Sequence, residues 1–131
     1  MSIASNFKLA VARIAVGVAM LATPSVSIFG QISQVIHNAR ASWYGREHHG
    51  KMMANGQRFD ETKLTAAHKA IPFGTKLLLR SKSGKTVVVE VTDRGPWVKG
   101  RDLDISLAAA RALGIASEGI SMISYQTVAE E

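Results

Sequence analysis

Two apolar stretches joined by a glycine turn constrain this chain most. TKLLLRS (75–81) and KTVVVEVTD (85–93) are rich in leucine and valine, and KSGK between them carries Gly84 where a tight hairpin wants a permissive backbone. Around this hairpin the chain from Ala41 onward is a series of short segments punctuated by glycine. ASWYG (41–45) reads as a strand, KLTAAH (63–68) as a short strand or bend, RDLDIS (101–106) as a strand, and GISMISYQTV (119–128) as a last strand with many β-branched residues. REHHGKMMANGQRFD (46–60) is polar, with a turn at Asn55-Gly56, and IPFG (71–74) is a turn built on Pro72 and Gly74. LAAARALG (107–114) is the one convincing helix, with Ser106 as N-cap and Gly114 as its stop. Short strands with one late helix predict an all-β fold, a small closed barrel. Closure also protects strand edges, which matters because the chain has no cysteine and so no disulfide to staple it.

The first stretch has the order of a secretory signal. Lys8 and Arg13 give a positive start, and no acidic residue occurs before Glu47. IAVGVAMLA (14–22) is an apolar run too short for a comfortable membrane span, and TPSVS ends in small residues at Ser25 and Ser27. The expected organisation is a signal peptide over 1–27, a lead-in over 28–40 that is a short helix or a flexible segment, and one domain over 41–128. The expected location is the periplasm, cell envelope or exterior, with no membrane anchor once the signal is removed, and a monomer. The net charge is +6, which favours an anionic partner. Basic residues are scattered among acidic ones rather than interleaved with aromatics, so nucleic acid is not expected, and an anionic cell-wall polymer suits an exported chain better.

Three segments carry polar residues that a core does not need: MANGQRFD (53–60), LTAAHKAIPFGT (64–75) and VTDRGPWVKGRDLDIS (91–106). Each lies at a strand end or turn, where functional groups are commonly mounted. The third poses the central question, because a strand there ends in Asp93, Arg94, Gly95 and Pro96. From the residues alone, Asp93 is either a turn cap or ion-pair partner, or an acid held for chemistry, and both readings stay open.

Taken together, ASWYG, ANGQRFD, LTAAHKAIPFGT, VTDRGPW, GRDLDIS and AAARALG resemble the rare-lipoprotein-A family of bacterial lytic transglycosylases, in that family's order and spacing over about residues 41–128. The resemblance implies a six-stranded double-psi β-barrel. It also implies endolytic cleavage of peptidoglycan glycan strands, preferably lacking stem peptides, leaving 1,6-anhydro-muramic acid ends. Expansins and family 45 endoglucanases are more distant relatives of the same barrel. The family's trio of Glu, His and Asp, carried over by motif, falls on Gln57, His68 and Asp93. Asp93 and His68 are therefore the implied catalytic pair, and the Glu position is the departure, since Gln57 cannot carry a titrating proton.

Losing that acid weakens the enzyme reading without removing it. Glycoside hydrolysis usually takes two carboxyl groups. In a lytic transglycosylase the C6 hydroxyl of muramic acid attacks its own anomeric carbon, so one carboxyl can protonate the leaving oxygen and then accept the C6 proton. Such an acid needs surroundings that favour its neutral form, chiefly burial, whereas a guanidinium aimed at it acts the other way. Neighbours on a strand point to opposite faces, which permits Arg94 to avoid Asp93. Gln57, Tyr44, Arg94 and Trp43 are the expected substrate contacts. Trp43 serves as core as readily as cleft, Trp97 is a further ring for sugar stacking or core, Arg94 leans toward bracing the barrel, and Asp104 is structural. His68 is alternatively a hydrogen-bonded structural histidine. His48 and His49 are adjacent and would point apart on a strand, so no metal and no cofactor is expected. Two other functions compete: a non-catalytic, expansin-like glycan-binding barrel, and a cellulase-like hydrolase needing Glu47, Asp60 or Glu61 as a second carboxylate.

Overall fold

The structure, a computed structural model, describes residues 35–129. The expected signal over 1–27 and residues 28–34 lie outside the described residues. Within them the chain forms β1 (His37–Trp43), a 3-10 turn (Arg46–His48), β2 (Thr65–Ala67), β3 (Lys76–Ser81), β4 (Thr86–Asp93), β5 (Leu103–Ile105), α1 (Leu107–Leu113) and β6 (Ser121–Thr127). The six strands close into a barrel in the order β1-β5-β2-β4-β3-β6. β1 with β5 and β2 with β4 run parallel, and the remaining neighbours are antiparallel. This is the architecture of a six-stranded double-psi β-barrel, with one short helix.

The hairpin of β3 and β4 forms because its alternation matches a barrel wall. Leu77, Leu79, Val89 and Val91 point inward and are fully buried, while Lys76, Arg80 and Val88 face out. Leu103, Ile105 and Ile123 fill the same core from the other strands, and Ala39, Ala41 and Ala66 line it where backbones crowd. Helix α1 closes one side with Ala109, Ala110 and Leu113. It starts where the sequence places it. Ser106 Oγ accepts from the Ala109 N–H at 3.2 Å, and Gly114 adopts φ 74°, a left-handed conformation that suits glycine.

The first strand differs from the sequence expectation. β1 begins at His37, inside the segment read as a lead-in of helix or flexible chain. His-Asn-Ala-Arg has little intrinsic strand preference. Its five paired positions with β6 impose the conformation, so tertiary pairing overrides propensity. Among the described residues no helix is long and apolar enough to cross a membrane.

Candidate active site

The end of β4 is where the barrel departs from regular alternation. Ala66 pairs with Val91 and the next residue, Ala67, pairs with Asp93, so Thr92 is an extra residue on β4. Val91 and Thr92 are both buried in succession, and Asp93 follows half-buried. A bulge of this kind re-aims the side chains beyond it. Thr92 ties down the facing loop through its carbonyl, which accepts the Asn55 N–H at 3.2 Å, and its hydroxyl lies 3.3 Å from Met53 Sδ. The ANGQ turn is thereby docked against the Asp93 carboxyl.

Three donors from three chain segments converge on that carboxyl. The Ala54 N–H reaches Oδ1 at 2.9 Å and the Arg94 N–H reaches it at 2.8 Å, while the Tyr44 hydroxyl donates to Oδ2 at 2.9 Å. All three are donors, so the carboxyl accepts at both oxygens, twice at Oδ1 from backbone amides and once at Oδ2 from Tyr44. Tyr44 is half-buried, its ring tilted on Phe59 with centroids 4.9 Å apart. Burial first, and then the bond to Asp93, push its phenol far above the ordinary tyrosine value, so it remains a neutral donor. Tyr44, expected as a substrate contact, thus holds the acid itself.

Gln57 belongs to the same turn but is exposed. Its Oε1 accepts from Asn55 Nδ2 at 3.0 Å, and its backbone N–H donates to Asn55 Oδ1 at 3.0 Å. Asn55, read in the sequence only as part of an Asn-Gly turn, is what orients Gln57. The signal was the Asx turn latent in Ala-Asn-Gly-Gln.

His68 is close in backbone but its ring is engaged elsewhere. Its N–H donates to the Asp93 carbonyl at 3.2 Å. Nδ1 accepts from the N–H groups of Ala70 and Ile71, both at 3.0 Å, which places the proton of the neutral ring on Nε2, 3.4 Å from the Tyr125 hydroxyl. Burial first, and then the Arg94 charge, hold its pKa below the ordinary histidine value. No hydrogen bond joins the imidazole to the Asp93 carboxyl among the described residues. Tyr125 in turn stacks on His37 with centroids 5.0 Å apart, a neighbourhood that sequence reading did not connect to His68.

Arg94 directs its guanidinium away from the acid. Nη1 donates to the carbonyls of Ile71 at 2.9 Å, His68 at 3.3 Å and Asp93 at 3.4 Å, and the group lies 3.9 Å over the Phe73 ring. The side chain ties the 68–73 turn to the end of β4, and a role as substrate clamp would have to use what remains of the guanidinium. Trp43 packs against the core and spends its indole N–H on the Glu118 carbonyl at 3.2 Å. Trp97 is the indole left 74% exposed, just past Gly95, whose φ of 116° is open to glycine. Asp104 accepts from Ser42 Oγ, and Arg101 donates to that same oxygen at 2.9 Å, which gives Asp104 a bracing position between β1 and β5. Among the described residues no hydrogen bond or ion pair joins Glu47, Asp60 or Glu61 to Asp93. Glu47 pairs with His48 at 3.7 Å, Glu61 with Arg46 at 3.8 Å, and Asp60 Oδ1 accepts from the N–H and hydroxyl of Thr62.

A closed six-stranded barrel with an Asp-Arg-Gly-Pro turn at the mouth, its acid held by the Trp-Tyr-Gly and Ala-Asn-Gly segments, defines a double-psi β-barrel with a carboxyl fixed at its mouth. The chain belongs to the lytic transglycolase family, whose model matches residues 36–125. It is 47% identical over 89 residues to a probable endolytic peptidoglycan transglycosylase RlpA of Synechocystis sp., covering 67% of this chain and 28% of that protein. It is 36% identical over 99 residues to the endolytic peptidoglycan transglycosylase RlpA of Neisseria meningitidis, covering 75% of this chain and 41% of that one. The chain thus spans well under half the length of these relatives. Among solved structures, the Clavibacter michiganensis expansin matches 74% of this chain and 52% of its own with a TM-score of 0.60 and 26% identity. The Streptomyces papain inhibitor matches in fold, with a TM-score of 0.59, 21% identity and coverage of 72% and 96%.

Proposed function

We propose that this barrel is an exported, endolytic lytic transglycosylase that cleaves peptidoglycan glycan strands, with Asp93 as its proton carrier. The observation that carries the reading is the Asp93 carboxyl, with Oδ1 saturated by two backbone amides and Oδ2 shared with Tyr44. In the first half-step Oδ2 gives its proton to the glycosidic oxygen as the bond from that oxygen to C1 of muramic acid breaks. The C6 oxygen of the same sugar then bonds to C1, and its proton passes to Oδ2. The acid is regenerated, no water is consumed, and the product is a 1,6-anhydro end. Because the nucleophile is tethered to the reacting carbon, a second catalytic carboxyl is not required. Tyr44 orients Asp93, and its hydroxyl is free to reverse its hydrogen bond as the proton leaves and returns. Gln57 and the exposed ring of Trp97 face substrate, and His68 keeps the 68–71 turn, and with it the Asp93 backbone, in place.

Mass spectrometry of products from denuded glycan strands tests this. Anhydro ends are expected, and reducing ends would make the protein a hydrolase instead. A second reading, a non-catalytic expansin-like binder, is favoured by one observation: where the family carries an acid, this chain has Gln57, with its oxygen already bound by Asn55. Glycan binding without any product would select it. Export is tested by the intact mass of protein recovered from an exporting host, where loss of the segment up to Ser27 is expected.

A further inference from the structure

Gln57, in the turn whose Ala54 amide binds Asp93, also lines a depression with a volume of about 540 Å³. That volume falls within the range of small-ligand sites, roughly 300–1,000 Å³. Met53 and Phe59, both buried, form part of its apolar wall. Its rim is polar and carries more positive than negative charge. Arg58 and Lys63 line it, against Asp60 as the acidic residue. Both donors of Thr62 are bound to Asp60 Oδ1 and hold its carboxyl ionised, below the ordinary carboxylate range, so the two cations outnumber it and the rim stays net positive. Arg58 uses Nη1 on the Gly50 carbonyl at 3.0 Å, which fixes the guanidinium while leaving its other N–H groups. Among the described residues no hydrogen bond or ion pair engages the Lys63 ammonium, which feels Asp60 through space. His49 accepts the Glu61 N–H at Nδ1, so its neutral ring presents an Nε2–H. Thr65 completes the wall.

Fixed cationic donors over an apolar wall are what a sugar ring bearing a carboxylate requires. We propose that this depression is a subsite for a carboxylate-bearing sugar of the glycan strand, with Arg58 and Lys63 reading the carboxylate. In peptidoglycan that group is the lactyl carboxylate of a muramic acid whose stem peptide has been removed. The inference rests on the glycan reading above for the identity of the polymer, but it concerns binding and not cleavage.

The test measures binding of the full chain to four probes: stripped glycan strands, the same strands with the lactyl carboxyl converted to an amide, peptide-bearing strands, and neutral chito-oligosaccharides. Wild type is expected to favour the free carboxylate on the order of tenfold, the value of a charge-assisted hydrogen bond, with a preference that fades as salt rises. R58Q combined with K63Q is expected to bind stripped strands no better than amidated ones, with chito-oligosaccharide affinity and melting temperature as in wild type. Equal wild-type binding of free and amidated strands overturns the proposal. So does a double variant that keeps the preference, or one that loses chito-oligosaccharide binding equally while still folded. Tighter binding of peptide-bearing strands would assign the carboxylate to the peptide and overturn the lactyl assignment. Wild type that prefers the free carboxylate yet yields no anhydro ends sinks the cleavage reading and leaves this one standing; anhydro ends without the preference do the reverse.

Discussion

Tyr44 and Asp93 stand 49 residues apart in the chain, and the hydroxyl of the first meets Oδ2 of the second at 2.9 Å. One residue follows the end of β1 and the other ends β4. Their contact is therefore a product of barrel closure, and the geometry of the proposed proton carrier depends on it.

Tyr44→Phe is expected to fold, because the ring keeps its contact with Phe59, but to lose turnover. A hydrogen bond to a charged group is worth roughly 1.5–3 kcal/mol, so a loss of about tenfold or more is expected. Because the role is to orient the acid, the loss should fall on kcat with KM little changed. An unchanged kcat would mean that Tyr44 does not orient the acid.

Asp93→Asn preserves an acceptor for the Ala54 and Arg94 amides and removes the proton. Turnover should drop by about 10²–10⁴-fold, the span of general acid–base catalysis, with glycan binding retained. Thermal unfolding separates this outcome from a structural one. A variant that does not fold makes Asp93 a turn cap, and a folded variant that still makes anhydro ends removes Asp93 from the chemistry.

Gln57→Glu places a carboxyl where the resemblance implies one. If one carboxyl suffices, wild type is active and the variant changes rate and pH profile only. Wild type that binds without cutting, and a variant that cuts, would establish the natural chain as a binder.

His68 gives a stability prediction with a definite sign. Its folded pKa lies below the unfolded value, through burial first and Arg94 next. The unfolded chain therefore takes up a proton that the folded ring resists. The stabilisation from the neutral ring is complete above the unfolded value of about 6.5 and is lost as pH falls through that value toward the folded one. His68→Asn keeps an acceptor for the Ala70 and Ile71 amides but does not titrate. Its urea midpoint should fall less than that of wild type between pH 7.5 and 5, and an identical fall in both would assign the effect to other groups.

Leu113 is fully buried where α1 meets the barrel. Leu113→Ala should cost about 2–5 kcal/mol through lost burial and the cavity left behind, read as a lower urea midpoint with an unchanged slope.

Short-range physics was legible in the residues themselves. The β3–β4 hairpin follows from alternation and Gly84, and α1 follows from Ser106 and Gly114, since turns and caps are written within a few residues of where they act. The polar segments that carry Gln57, His68 and Asp93 stood out in the residues as well, since a core has no need of them. The sequence did not reveal that β1 starts at His37, because only pairing with β6 makes that stretch a strand. Nor did it reveal that Thr92 is an extra residue in the ladder, that Tyr44 and the Ala54 amide bind Asp93, or that the His68 ring turns to Tyr125. These arrangements depend on register between strands distant in the chain. A shift of one residue exchanges the inward and outward faces of a strand. Local preferences determine which segments become strands and turns; closure of the barrel decides which side chains meet at its mouth.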